Sequence, residues 1–231
     1  MNTSRKNARW AGVFYIMATA APILTIVFIG FLGGGVAGEP VPDYLDQVSA
    51  GESNVILGMF VEVTWALVVV GIVVTLYPIL KKHNEALALG FSGLRFMEAI
   101  STMIHSIILL SLLTLGRQVA AAGSPDASTL QLAGTLHLAA REWTFMIGSG
   151  LVWSLSALLL NVLLLQKTLV PRWLSIWGLV GATVVLVNTL FDMLAITIPN
   201  LGYLMLLNEL FLGVWLIVKG FNQPARVETP A

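Results

Sequence analysis

VILGMFVEVTWALVVVGIVVTLYPIL, residues 55–80, holds one charged side chain, Glu62, and closes on Lys81, Lys82 and His83. As a helix rising 1.5 Å per residue, this run of about 26 residues is about 39 Å long, enough to cross a hydrocarbon core roughly 30 Å thick. The whole chain has the same character. Of its 231 residues 57% are hydrophobic and 10% charged, where a soluble domain carries about a quarter charged residues. The solvent for most of this chain is therefore lipid. The absence of cysteine excludes a disulfide framework and thiolate metal sites, and the zero net charge offers nothing to nucleic acid.

Outward from residues 55–80 the same pattern recurs. A first span is expected over about 10–35, preceded by Arg5, Lys6 and Arg9 and interrupted once by Pro22. Its apolar run is about twice the length of a signal-peptide core, so it reads as an uncleaved anchor despite Val36, Ala37 and Gly38. An acidic loop, Glu39 to Ser53, follows. The third span covers about 87–115 and ends before a Gly-Ser-Pro-Asp turn at 123–126. The fourth, about 128–166, would be about 58 Å long as one helix, so it must project from the bilayer or break near Gly148 and Gly150. Spans of about 174–198 and 201–218 complete an all-α bundle of six transmembrane helices in a single domain. The Gly33-Gly34-Gly35 run ends a helix and is no phosphate loop, since no strand precedes it.

Lys and Arg set the orientation, because cytoplasmic loops retain positive charge during insertion. The N-terminus, the Lys81–Lys82 loop, the Lys167–Arg172 loop and the tail with Lys219 and Arg226 alternate with loops that hold only Arg117. That alternation fits six spans in the plasma membrane with both termini cytoplasmic. Trp10, Tyr77, Trp173 and Trp177 fall near the cytoplasmic ends, where interfacial aromatics anchor a bundle.

Ionisable residues within the spans carry the functional information, since each costs about 3 kcal/mol to insert and needs a partner or a task. They are Glu62, Arg95, Glu98, His105, His137, Arg141, Glu142, Asp192 and Glu209. Arg95, Glu98, Thr102, His105 and Ser106 share one face of the third span. His137, Arg141 and Thr144 share a face of the fourth, and Asn188 and Asp192 stand one turn apart on the fifth. Counting from the helix ends puts Glu62, Asp192 and Glu209 roughly 8 to 12 Å below the outer surface, with His105 near them and Glu98 and Arg95 deeper. The expectation is a carboxylate-rich cavity in the outer half, bordered by spans two, three, five and six and capped by the start of the fourth. With Arg141 and Glu142 set aside as interfacial, four carboxylates face one arginine, and four minus one leaves three uncompensated charges. Such groups must be protonated, paired with histidine, hydrated or bound to a cation.

Competing readings attach to these residues. Arg95 with Glu98 reads first as an interhelical polar clamp. Asp192 and Glu209, with no basic neighbour on their own helices, read as functional. His105 and His137 would serve as haem ligands, or with Glu98 as a transition-metal site, although their spacing matches no metal motif; otherwise they are hydrogen-bonded or protonatable side chains. Gly178 and Gly181 suit close helix packing.

Three stretches carry a family resemblance. FSGLRFMEA (91–99), VPRWLSIWG (170–178) and NELFLGVWLIVKG (208–220) resemble a bacterial membrane family catalogued as domain of unknown function 4386, and the likeness spans most of the chain. It is carried by Arg95, Glu98, Pro171, Gly178, Glu209, Trp215 and Lys219. The resemblance implies a membrane fold and supplies no activity. Members often hold a histidine in the middle of the fourth span, where this chain has Val152, Trp153 and Ser154, so a metal or haem site sharing that residue is not supported.

Three functions remain. The first is proton-linked or cation-linked binding or transport of a small molecule through Glu62, Arg95, Glu98, His105, His137, Asp192 and Glu209. The second is a membrane-embedded haem- or metal-dependent enzyme, against which stands the lack of a nucleophile, nucleotide or His-rich motif. The third is a non-catalytic partner or sensor subunit. No resident cofactor is expected, and the expected partners are the lipid bilayer and a proton or small cation.

Overall fold

The computed structural model describes residues 3–30, 44–121, 127–196 and 198–222. The Gly33–Gly35 run, the Val36–Gly38 stretch, the turn at 123–126 and Arg226 lie outside them. Among the described residues every regular element is helical: α1 (Thr3–Ile29), α2 (Tyr44–Ala50), α3 (Glu52–Leu80), α4 (Glu85–Ala121), α5 (Ala127–Phe145), a π-helical segment (Met146–Val152), α6 (Trp153–Gln166), α7 (Arg172–Met193) and α8 (Tyr203–Val218). Among the described residues five helices are long and apolar enough to cross a membrane: α1, α3, α4, the continuous stretch Thr129–Gln166, and α7. A sixth apolar helix, α8, is shorter at 16 residues.

Lipid leaves backbone groups no partner outside the chain, so the helix is the economical conformation for each apolar run. Hydroxyls inside the helices are absorbed in the same way: Ser92 donates to Ala88 O at 2.7 Å, Thr102 to Glu98 O at 3.0 Å and Ser106 to Thr102 O at 3.1 Å. The helices close into a ring, α1 against α3, α3 against α4, α4 against α6, α6 against α7, α7 against α8, and α8 back against α1. The interior of one half is a cluster of Ala8, Ala11, Tyr15, Ile72, Leu76, Phe91, Leu163, Leu174 and Leu216, among others. The outside is equally apolar, with Val27 71% and Ile26 69% exposed, a surface suited to lipid and costly in water.

Several boundaries differ from the sequence-based expectation. Part of the stretch expected as an acidic loop is helical: α2 packs against α4, where Gly116 meets the Leu45 carbonyl, and α3 already begins at Glu52. The fifth span ends at Met193, short of Ile198. The chain turns there through Ala195 at φ 55°, and the Asn188 amide donates to Pro199 O at 3.0 Å, fastening the turn into α8. The fourth span runs on without a gap, and the irregularity expected near Gly148 and Gly150 is the π-helical segment.

Candidate functional site

One face of α4 organises two ion groups, about 10 Å apart along the helix by the rise from Glu98 to His105. In the first group Arg95, 2% exposed, extends its guanidinium between two helices. Nη1 donates to Glu98 at 2.9 and 3.2 Å, and Nη2 donates to Glu209 of α8 at 3.0 Å. Glu209 also accepts the Trp153 indole N–H at 3.1 Å, and the Thr19 hydroxyl, bonded to Tyr15 O, stands 3.3 Å from its other oxygen. The Tyr15 and Phe91 rings lie 5.6 and 5.9 Å from the guanidinium carbon, close enough for cation–π attraction. The Tyr15 hydroxyl and Arg95 Nε, both buried, make no hydrogen bond among the described residues.

The second group centres on Glu62 of α3, fully buried. Arg141 of α5 bonds it through Nη2, His105 Nδ1 lies 3.2 Å from it, and Ser106 donates to it at 3.0 Å. Arg141 Nη1 also donates to the His105 carbonyl at 2.7 Å, fixing α5 to α4. The His105 ring packs 5.8 Å from Phe145.

Between the groups lies the π-helical segment, which can sit so close only because two of its residues are glycine. A Cβ at Gly148 would collide with the Ser101 side chain, and one at Gly150 would come 2.6 Å from the Thr189 methyl. The segment connects α5, which supplies Arg141, to α6, which supplies Trp153. Such π turns interrupt the regular ladder at a cost and recur at functional sites.

The sequence-predicted residues therefore divide. Glu62, Arg95, Glu98, His105 and Glu209 fall into the two groups. His137 is half-buried and bonds Ala133 O of its own helix at 2.8 Å. Asp192 is exposed on the last turn of α7 and contributes to neither group. Arg141, set aside as interfacial, is buried and holds Glu62. That changes the charge count. Among the described residues three buried carboxylates (Glu62, Glu98, Glu209) face two buried arginines (Arg95, Arg141), and three minus two leaves one uncompensated charge instead of three. Beside the second group, the crevice bounded by Trp65, Ser101, His105, Phe145 and Ser149 has no room for a water molecule. No cluster of three or more His, Asp or Glu placed to hold a metal occurs among the described residues, so the structure does not join His105, His137 and Glu98 into one.

Thr19, Tyr15 and Trp153 were missed. Their side chains are ordinary span residues, and only Trp153 gave a signal, an indole N–H in mid-span that needs an acceptor.

A family model described as Domain of unknown function (DUF4386) matches residues 10–220. No curated protein and no solved structure matches the chain.

Proposed function

Since the chain belongs to the DUF4386 family, whose description names no activity, its task has to be argued from the buried charges, and we propose that it binds or transports a small molecule in a proton-linked or cation-linked manner. In this reading it lies in the plasma membrane as six spans with both termini cytoplasmic. Support for that placement comes from Arg5, Lys82, His83 and Lys219, which gather at one end of the bundle, as the alternation of basic loops requires.

The observation that carries the reading is the single surplus carboxylate. One uncompensated ionised carboxylate in a lipid-surrounded interior costs several kcal/mol, so the balance is met by a proton, on a carboxyl or on His105 beside Glu62, or by a cation. The three acids are unequally served. Glu62 is contacted by Arg141, His105 and Ser106, and Glu209 by Arg95, Trp153 and Thr19, whereas among the described residues Glu98 has Arg95 Nη1 alone. Ionised carboxylates are stabilised by the donors they accept, so Glu98 is the group that carries the exchangeable proton or meets the cation. Nothing in the placement of His105 and His137 favours the haem- or metal-dependent alternative.

Infrared difference spectroscopy in lipid nanodiscs, between acid and alkaline buffer, tests this directly. Beyond the bands of the exposed carboxyls, which both proteins share, wild type is expected to show one protonated-carboxyl band that responds to pH or to an added cation and is missing from Glu98→Gln with the fold intact. Identical protonated-carboxyl bands in wild type and Glu98→Gln would refute the assignment.

A further inference from the structure

At the end of the bundle where the basic loops meet, the last residues of α8 bend back over the turn between α6 and α7. Gly220, at φ 74°, makes the bend in the left-handed region that suits glycine. Asn222 then fastens it, its N–H donating to Leu169 O at 2.8 Å and its side-chain amide to Thr168 O at 2.9 Å. The turn after α3 forms the opposite wall, with His83 N–H donating to Leu80 O at 2.9 Å. These hydrogen-bonded turns, with the first turn of α1, enclose a cavity of about 330 Å³.

Three of the segments that line it bring a cation. Arg5 comes from α1, Lys82 and His83 from the turn after α3, and Lys219 from the end of α8, with no carboxylate among the lining residues. Arg5, Lys82 and Lys219 form no ion pair among the described residues, whereas Arg95, Arg117 and Arg141 each do. Burial, with the Lys167 and Lys82 ammonium groups, holds the His83 imidazole below its usual pKa. The retention signal for membrane insertion asks only that Lys and Arg lie on one side of the bilayer. It does not ask that three of them, from three separate segments, surround a common space without a counter-charge among the described residues.

From this convergence we infer that the cavity binds a phosphate-bearing anion, a chemistry shared by acidic phospholipid headgroups and soluble organic phosphates. Three cations with about eleven N–H donors between them match the oxygens of a phosphate, Arg5 by its fork and the lysines as point charges. The volume exceeds that of a bare phosphate and admits an attached glycerol or sugar. Ile79, Leu169 and Phe221 add apolar lining, which suits the carbon portion of either ligand. Basic pockets between membrane helices bind lipid headgroups by the same forces.

The full-length protein in phosphatidylcholine nanodiscs, at fixed ionic strength, provides the test. One arm titrates phosphatidylglycerol into the nanodiscs, and the other titrates glycerol 3-phosphate into the buffer; both read bound ligand and the shift in unfolding temperature. Binding in the lipid arm alone assigns a headgroup, binding in the soluble arm alone assigns a free phosphate ester, and either supports the site. Lys82→Gln/Lys219→Gln should weaken that binding at least about tenfold. Lys81→Gln, in the same turn but stacked over Tyr77 at 5.4 Å and outside the cavity, should leave it unchanged. Arg5→Gln gives an independent variant if the double substitution does not fold. Saturable binding in neither arm, or equal weakening in Lys81→Gln, would overturn the proposal.

Discussion

Arg95→Met should be the most damaging single substitution in this protein, leaving little folded material in mild detergent. Methionine fills the space, but Glu98 and Glu209 then share a buried site with no cation. Removing one partner of a buried ion pair costs about 3–5 kcal/mol, and here the change strands Glu209 and takes from Glu98, the acid proposed to carry the exchangeable proton, its Arg95 donor. Against a total stability of about 5–15 kcal/mol, that is enough to unfold the protein or to halve its margin. Trp153, bonded to Glu209 at 3.1 Å, is a local fluorescence reporter for the transition. The triple variant Arg95→Met/Glu98→Gln/Glu209→Gln should recover most of the loss, because it removes the stranded charges along with the cation. A fully stable Arg95→Met would mean that the carboxylates are neutral in the wild-type protein.

Gly12→Ile is expected to follow it. A Cβ at Gly12 would run into the carbonyl oxygen of Gly213 and come 2.7 Å from Ile217 Cγ1, and a Cβ at Gly213 would in return come 2.9 Å from Gly12 O. Backbone blocks the way on both sides, so no rotamer change relieves the clash. α1 must move off α8, and it takes Tyr15 and Thr19 away from the Arg95–Glu209 pair. The cost should reach the top of the roughly 1–3 kcal/mol range for overpacking, with Gly12→Ala losing less. Gly93→Ala is the control: its Cβ would meet nothing within 4 Å, so the better helix former should be neutral or stabilising by up to about 1 kcal/mol. Thermal unfolding of the three variants in one detergent settles the order.

Why the helices were legible and their partnerships were not follows from what each depends on. Residues 55–80 become a helix because lipid leaves the backbone no other way to pair, and that constraint is written in composition alone. Arg95 and Glu98 were legible as a pair because an i, i+3 spacing fixes them on one face. That Glu209 would complete the pair, and that Arg141 would reach Glu62, depends on which helices become neighbours in the ring, which no local pattern encodes. Depth counting misplaced Arg141 because the fourth stretch is 38 residues long, so distance from its end says little about distance from the membrane surface. Asp192 went astray for the opposite reason: its helix stops five residues early, at Met193 instead of Ile198, which leaves the carboxylate on an exposed last turn. The hydroxyls and the indole that attend Glu209 had no periodicity to give them away.

The π-helical segment bears on which length changes this bundle tolerates. A π turn stores about one more residue than an α turn over a comparable rise. A chain missing one residue between Met146 and Val152 could therefore run as plain α-helix and still aim Arg141 at Glu62 and Trp153 at Glu209. The same deletion between Glu98 and His105 would swing one ion group about 100° around α4 relative to the other. In an alignment of related chains, a one-residue gap beside Gly148 and Gly150 would mark a conserved architecture, and a gap within residues 98–105 would mark a different one.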